Sequence, residues 1–353
     1  MRLSIVITNY NYGDRLSAAI DSALGVDWPE KEVIVVDDGS TDHSPAVIGT
    51  YGNRIKAILK PNGGQNSAAN VGFAESTGDI VFFLDSDDTL MPQVATRVVP
   101  LFQSTTAKVQ FPLVSKRPDG SEAGFYPRFP MAYSAMDVKR GLAATGFYVS
   151  SPTSGNAWPR WVLDKAFPLP TRWTKAVPAQ YFDGYLSTIA SKLGEVVTMP
   201  EPLGTYYINP KNMWTTRFSP KFIAEAYEED FARYEYINAK LKSLGLRPIE
   251  NSPFTQWMKR LVYRKYYSDT YSTQEQWIAL LLRSLRSVAV DPGLGIKPRI
   301  LVMAWMIAVV ALPRGLALPL VKLRFVQGYR PKLVNWLLTS RRHRVRAAGP
   351  ESA

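Results

Sequence analysis

The sequence predicts an α/β protein, with a mostly parallel sheet flanked by helices and a helical C-terminal extension. Three observations predict it. Four short apolar runs alternate with helix-like stretches over the first 90 residues. Polar clusters follow three of those runs directly. Beyond residue 220 the pattern changes to long stretches of helical period.

Taken in order, Leu3 to Ile7 reads as the first buried strand. Asp14 is placed to cap a helix with Leu16, Ile20, Ala23 and Leu24 on one face. Glu32 to Val36 is a second strand, β-branched and bounded by turn signals. Ser40 or Asp42 can open the next helix, and Ile55 to Leu59 is a third strand. Asn66 to Ser76 reads as a helix closed by Gly78, and Ile80 to Leu84 as a fourth strand. Residues 111–207 are rich in Pro and aromatics, with weak periodicity. Lys221 to Leu244 predicts a long amphipathic helix, with Phe222, Ala226, Phe231, Tyr234 and Ile237 roughly in phase. Further helices are expected over 254–267 and 274–290.

Composition narrows the chemistry. The chain has 353 residues, 46% hydrophobic and 20% charged, so it can bury a large core and is not globally disordered. It has no cysteine, which excludes disulfides, thiolate nucleophiles and Cys-type metal sites. His43 and His343 are its only histidines, too few for a multi-histidine metal site and a poor basis for a Ser-His-Asp triad. The net charge is +12, unevenly spread. Residues 1–100 hold 7 basic and 13 acidic side chains, whereas residues 293–353 hold 11 and 1. This asymmetry suits a catalytic or metal-handling domain followed by a segment that meets an anionic surface. It does not suit a nucleic-acid-binding core. No secretory signal is visible, because Arg2 precedes only a five-residue apolar run. The N-terminus is therefore expected inside a folded domain in the cytoplasm.

Ile300 to Leu312 is an apolar run of 13 residues, short of the ~20 that span a bilayer. Pro313-Arg314-Gly315 interrupts it and Leu316 to Val321 resumes it. Lys297, Arg299, Lys322, Arg324 and the Arg341-Arg342-His343-Arg344 cluster flank it. That pattern fits a re-entrant or interfacial element on an anionic membrane surface; a buried helical hairpin with a basic tail is the plainer reading.

In a parallel sheet, functional residues gather at the carboxyl ends of strands. Asp85-Ser86-Asp87-Asp88 follows the fourth strand directly. Carboxylates at i and i+2 can both reach one hard cation, and Mg²⁺ or Mn²⁺ on a diphosphate wants few, oxygen-only protein ligands. The plain alternative is an acidic turn. Asp37-Asp38-Gly39-Ser40-Thr41-Asp42 follows the second strand and can be a simple βα loop. Its adjacent carboxylates repel, which is easier to explain if one accepts hydrogen bonds from a ligand's N–H or hydroxyl groups.

Four segments together resemble the family 2 glycosyltransferases of the GT-A fold. They are Ser4 to Asn11, Val35 to Asp42, Asn62-Gly63-Gly64-Gln65 with Asn70-Val71-Gly72, and Phe83 to Asp88 with Pro92. A weaker resemblance continues through Pro152 to Asn156, Tyr181 to Leu186 and Glu201 to Tyr207, covering roughly residues 1–215. It implies a nucleotide-sugar donor (a UDP-, GDP- or dTDP-sugar), a divalent cation and inverting transfer to a glycan or lipid-linked hydroxyl. Residue by residue, it implies donor contacts from Thr8, Asn9, Tyr10, Asp38, Asn70, Asp85 and Ser86. It implies metal contacts from Asp85, Asp87 and Asn209, and a base at Asp183 that takes the acceptor's proton. Asp183 can also simply cap a helix from Tyr185 to Leu193, and Gly155-Asn156 can be a turn or a pocket border. The chain is thus expected to divide into a transferase domain at 1–218, a helical extension at 219–292 and a basic apolar segment at 293–353.

The sequence departs from the family at Tyr206-Tyr207-Ile208-Asn209, where members commonly show Tyr-Arg-x-His. Tyr207 replaces a cation there, with Lys211 or Arg217 as nearby substitutes, and Ala69 stands where an Arg is often seen. Alternatives are a nucleotide-sugar-binding scaffold of the same fold without turnover, or a sugar nucleotidyltransferase. The latter wants a Gly-rich, Arg-containing loop after the first strand, and Thr8 to Gly13 has one Gly and no Lys or Arg. No G-x-G-x-x-G opens the first helix, which disfavours a Rossmann dehydrogenase, and no nucleic-acid-binding module is present.

Overall fold

The structure is a computed structural model, and it describes residues 1–127, 129, 133–173, 179, 182–208, 220–250, 254–266, 276–291 and 294–325. The chain divides into two compact units, Met1–Asn212 with Glu228–Asn251, and Met213–Tyr227 with Ser252–Ala353. The division cuts across the segments drawn from sequence, because the stretch 219–292 contributes to both units.

In chain order the first unit contains β1 (Leu3–Asn9), α1 (Gly13–Leu24), β2 (Lys31–Asp37), α2 (Ser44–Gly49), β3 (Lys56–Leu59), α3 (Gln65–Ala74) and β4 (Ile80–Asp85). It continues with β5 (Thr89–Leu90), α4 (Val94–Val98), β6 (Thr106–Gln110), β7 (Leu113–Lys116), β8 (Glu122–Tyr126), α5 (Ala135–Thr145) and β9 (Asn156–Pro159). It closes with α6 (Arg160–Ala166), α7 (Phe182–Leu193), β10 (Glu195–Thr198), β11 (Gly204–Tyr207) and the part of α8 (Pro220–Ser243) from Glu228 onward. The main sheet runs β10-β6-β9-β4-β1-β2-β3. It is parallel throughout except at β9, which is antiparallel to both β4 and β6. A second sheet, β5-β11-β7-β8, joins strands from residues 89–90, 113–126 and 204–207.

Alternation along each strand sorts side chains to two cores. Ile5 and Ile7 of β1, Val33 and Val35 of β2, and Phe82 and Leu84 of β4 join Leu16, Ile20 and Val94 in one. Val6, Ile34, Val36, Val81 and Phe83 point the other way, onto Phe73, Leu186 and Ile237. Each such side chain contributes about 1.5–3 kcal/mol of burial. Gly72 lets α3 sit directly on β1, since a Cβ there would stand 2.3 Å from Val6 Cγ1.

Two helix ends and one helix face differ from expectation. The cap on α1 comes from across the chain: Asp42 Oδ2 accepts the Gly13 N–H at 2.9 Å, while Asp14 sits in the first turn. α3 ends at Ala74 on Glu75, and Gly78 instead packs against Ser4, where a Cβ would be 2.5 Å from the Ser4 nitrogen. On α8 the buried face is Ala232, Ile237 and Leu241, and Phe231 is exposed.

The second unit holds α9 (Phe254–Tyr266), α10 (Trp277–Val290), α11 (Ile296–Ala311) and α12 (Arg314–Phe325). Met258, Leu261, Leu280, Val288, Val302 and Met306 form its core. The Lys265 ammonium donates to the carbonyls of Val310 and Leu312, a favourable place for a cation at the end of α11. Ile300, Leu301 and Ile307 face outward on α11. No described helix is long and apolar enough to cross a membrane.

Candidate active site

β4, β1 and β2 are neighbours, and their carboxyl ends are level. Thr8 pairs with Asp85, and Asn9 with Asp37. Three polar clusters that are far apart in sequence therefore meet along one rim of the sheet.

The first wall is the loop after β2. Asp37 Oδ1 accepts from Asn9 Nδ2 at 2.7 Å and from Ser40 Oγ at 2.6 Å, and its Oδ2 accepts the Ser40 N–H at 2.9 Å. Asp38 pairs with the Lys60 ammonium and accepts the N–H groups of Gly63 at 3.0 Å and Gly64 at 2.7 Å. Gly39 makes the turn between them at φ +76°, and a Cβ there would stand 2.7 Å from the Asn62 nitrogen. Asn11 adds a tie, since its Oδ1 accepts the Thr41 N–H at 2.8 Å. The adjacent carboxylates are thus satisfied by this chain's own donors, and a ligand is not needed to explain them. Asn9 Oδ1 remains buried with no hydrogen-bond partner, an acceptor suited to an N–H of a bound base.

The second wall is the acidic loop. Asp85 Oδ1 accepts from Gln65 Nε2 at 2.9 Å, which ties β4 to the start of α3. Ser154 links its neighbours, accepting the Asp85 N–H at 3.1 Å and donating to Asp88 Oδ2 at 2.7 Å. Asp88 Oδ1 also accepts the Tyr207 N–H at 3.0 Å, so that buried carboxylate holds β11 to the loop. Asp85 and Asp87 stay partly accessible. Burial, then the charges of Asp87 and Asp183, push the Asp85 carboxyl up to about 7. Burial pushes Asp87 up to about 6, opposed by Arg15.

Asp183 lies in the first turn of α7 and interacts electrostatically with Asp85. Burial raises its pKa, while the Gly184 N–H, Arg233 and Lys108 favour its charged form. Lys108 is fully buried in β6, donating to Ser150 Oγ at 2.7 Å, Ser187 Oγ at 2.9 Å and Gln110 Oε1 at 3.0 Å. Ser187 is one helical turn beyond Asp183 on α7. Burial holds the Lys108 ammonium well below its usual range, and the negative charge of Asp183 opposes that.

The rim therefore gathers Thr8, Asn9, Asp38, Asp85, Ser86 and Asp87, with Asp183 within electrostatic reach of Asp85. Tyr10 is exposed beside it. Asn70 has another partner: its Nδ2 donates to the Leu169 carbonyl at 2.8 Å and its Oδ1 accepts the Leu169 N–H at 2.6 Å. Its amide pins the loop after α6. Asn209, Lys211 and Arg217 lie outside the described residues. Asn156 Nδ2 donates to the Pro152 carbonyl at 2.6 Å and braces the turn that carries Ser154. Arg15, Lys108 and Arg233 were not singled out from sequence, and Gln65 and Ser154 stood there only within the motifs that carry the resemblance, with no role of their own; of the first three only Lys108, a charge inside the short run Ala107-Lys108-Val109, carried a local signal.

Among the described residues no group of three or more His, Cys, Asp or Glu side chains is placed to hold a metal ion. The two accessible carboxylates of the acidic loop fit a hard divalent cation that takes its remaining ligands from a diphosphate and water.

Comparison with known proteins agrees with this architecture. The family model "Glycosyl transferase family 2" matches residues 4–157. An uncharacterized glycosyltransferase of Nostoc sp. is 32% identical over 294 residues, covering 78% of this chain and 86% of the relative. Chondroitin synthase of Pasteurella multocida is 37% identical over 124 residues, covering 34% of this chain and 13% of that protein. Among solved structures, S. aureus TarS 1-349 in complex with UDP-GlcNAc has a TM-score of 0.54 at 13% identity, covering 92% of this chain and 91% of that one. The chain belongs to the family 2 glycosyltransferases, and its fold is GT-A.

Proposed function

We propose that the protein is a metal-dependent, inverting glycosyltransferase of surface polysaccharide synthesis. It would move a sugar from a nucleotide-sugar to a hydroxyl of a glycan or lipid-linked acceptor. The observation that carries the reading is that the acidic loop after β4 presents two partly accessible carboxylates, Asp85 and Asp87, beside the ends of β1 and β2, with the charge of Asp183 acting on Asp85. Polysaccharide as the product class draws on chondroitin synthase and on the succinoglycan biosynthesis protein ExoO of Rhizobium meliloti, which is 34% identical over 109 residues, 30% of this chain and 31% of that protein.

In this reading the loop after β1 and the loop after β2 wall the nucleoside, with Asn9 Oδ1 as an open acceptor. Asp85 and Asp87 would hold Mg²⁺ or Mn²⁺, whose charge would neutralise the diphosphate leaving group. Asp183 takes the acceptor hydroxyl's proton as that oxygen attacks the anomeric carbon from the face opposite the diphosphate. The bond to the sugar forms as the bond to the diphosphate oxygen breaks, so configuration inverts in one step. No covalent intermediate is needed, so the absence of cysteine costs nothing. Burial raises the proton affinity of Asp183, which suits a base.

The same reading places the protein on the inner membrane surface. The outward face of α11, with Ile300, Leu301 and Ile307, and the cations Lys297 at its start and Arg314 at the start of α12 support contact with anionic lipid.

The test is a panel of UDP-, GDP- and dTDP-sugars with Mn²⁺, read as transfer to membrane lipid extract and as nucleotide binding. Asp183→Asn is expected to lower transfer about 10²–10⁴-fold and to leave nucleotide binding unchanged. Wild-type binding without transfer to any acceptor would point instead to a scaffold.

A further inference from the structure

The acidic rim raises a charge problem. Asp85, Asp87, Asp88 and Asp183 crowd together, and a diphosphate placed among them brings further negative charge. A divalent cation offsets part of this. The strand that ends beside the rim brings no Lys or Arg, since it reads Gly204-Thr205-Tyr206-Tyr207.

A cation does stand there, contributed by a different element. Arg15, in the first turn of α1, places its guanidinium carbon 3.5 Å from the centre of the Tyr207 ring. At that separation the guanidinium lies over the ring, a contact that does not use up its N–H donors. No hydrogen bond or salt bridge among the described residues takes up those N–H groups. The side chain is only partly exposed, and its charge acts on Asp87. Tyr207 is fixed in turn, because its N–H donates to Asp88. The stack thus holds a guanidinium beside the acidic loop, with donors to spare.

We propose that Arg15 is a donor-binding residue whose guanidinium edge grips the diphosphate of the nucleotide-sugar, with Tyr207 as the platform that aims it. The proposal rests on the nucleotide-sugar reading above. A diphosphate presents pairs of anionic oxygens, and the planar fork of a guanidinium can donate two hydrogen bonds to such a pair, which an ammonium matches less well. As the sugar leaves, charge grows on the diphosphate oxygens, so the same contact strengthens in the transition state.

The experiment is calorimetric titration of the full chain, with saturating Mn²⁺, against a nucleoside diphosphate and the matching monophosphate. Arg15→Gln is expected to weaken the diphosphate about 10–100-fold and the monophosphate less than about two-fold. Arg15→Lys should recover part of the loss, and Tyr207→Leu should fall between wild type and Arg15→Gln. Equal loss for both nucleotides, or no loss for either, overturns the assignment. Melting temperatures within about 2 °C of wild type would show that the variants are folded. If the wild type binds no nucleoside diphosphate from the uridine, guanosine and thymidine series, the donor reading itself fails. If it binds one and Arg15→Gln binds it equally well, only the role of Arg15 falls.

Discussion

Burial and mutual repulsion work against the charges of the acidic rim. Asp85 is pushed up to about 7 and Asp87 to about 6, and Asp88 and Asp183 are raised as well. In the unfolded chain these groups lose their protons near pH 4. Between about pH 4 and pH 7 the folded protein therefore binds more protons than the unfolded one, and its stability falls as pH rises through that window. Lowered carboxyls, Glu32 and Asp42 among them, act below that range, where they lose stability as pH falls. Lys108, held well below its usual range by burial, acts in the opposite sense, but it is one group against four raised carboxyls, so melting temperatures of the ligand-free protein should decrease from pH 5 to pH 8. In the Asp85→Asn, Asp87→Asn double variant the slope should flatten and the melting temperature at pH 8 should rise. A wild-type melting temperature that climbs over this range would contradict the crowding described here. The instability belongs to the site: the carboxylates that cost stability without a ligand are those assigned to binding one.

At the scale of elements, α3 links the parts of the site. Gln65 at its start holds Asp85, Asn66 Nδ2 donates to the Pro170 carbonyl at 2.7 Å, and Asn70 clasps Leu169 by both ends of its amide. The helix thus ties the donor rim to the loop that follows α6. Asn70→Ala would leave the Leu169 N–H and carbonyl unpaired, and a loss of about 1–3 kcal/mol is expected in denaturant unfolding. Nucleotide affinity should stay within two-fold; a fall in affinity at unchanged stability would return Asn70 to the donor pocket. Sequence alone could not separate these roles, because an amide that grips backbone and one that grips a ligand look alike in a helix. It read the first hundred residues well for a physical reason: β1, β2 and β4 are buried on both faces and appear as unbroken apolar runs. The middle third was hard to read for the converse reason. β6 carries Lys108 and Gln110 in its interior, β8 is largely exposed, and β5, β7, β9 and β11 are too short to show a period. Arg15 and Lys108 were missed because their partners, Tyr207 and Ser187, lie on distant segments.

Across the whole chain, charge and apolar surface divide the labour. The first 100 residues are acidic and carry the rim, while residues 293–353 hold 11 basic side chains against 1 acidic. Within the second unit α11 buries Val302, Met306 and Val309 and leaves Ile300, 62% exposed, and Ile307, 47% exposed, on its outer side. Such a face is costly in water and favourable at a lipid interface, where each fully buried Ile is worth about 1.5–3 kcal/mol. Anionic headgroups would add roughly 1 kcal/mol for each nearby Lys or Arg. The protein should therefore sediment with vesicles containing phosphatidylglycerol, bind phosphatidylcholine vesicles more weakly, and lose the difference as salt is raised. Ile300→Asp with Ile307→Asp should weaken vesicle binding at least about ten-fold, since even partial burial of two such side chains exceeds 1.4 kcal/mol. Nucleotide affinity in solution should not change, because both substitutions lie in the second unit and the rim lies in the first. Undiminished vesicle binding by the double variant would assign membrane contact to another part of the chain, whereas wild type that ignores anionic vesicles would leave the outer face of α11 to a protein partner.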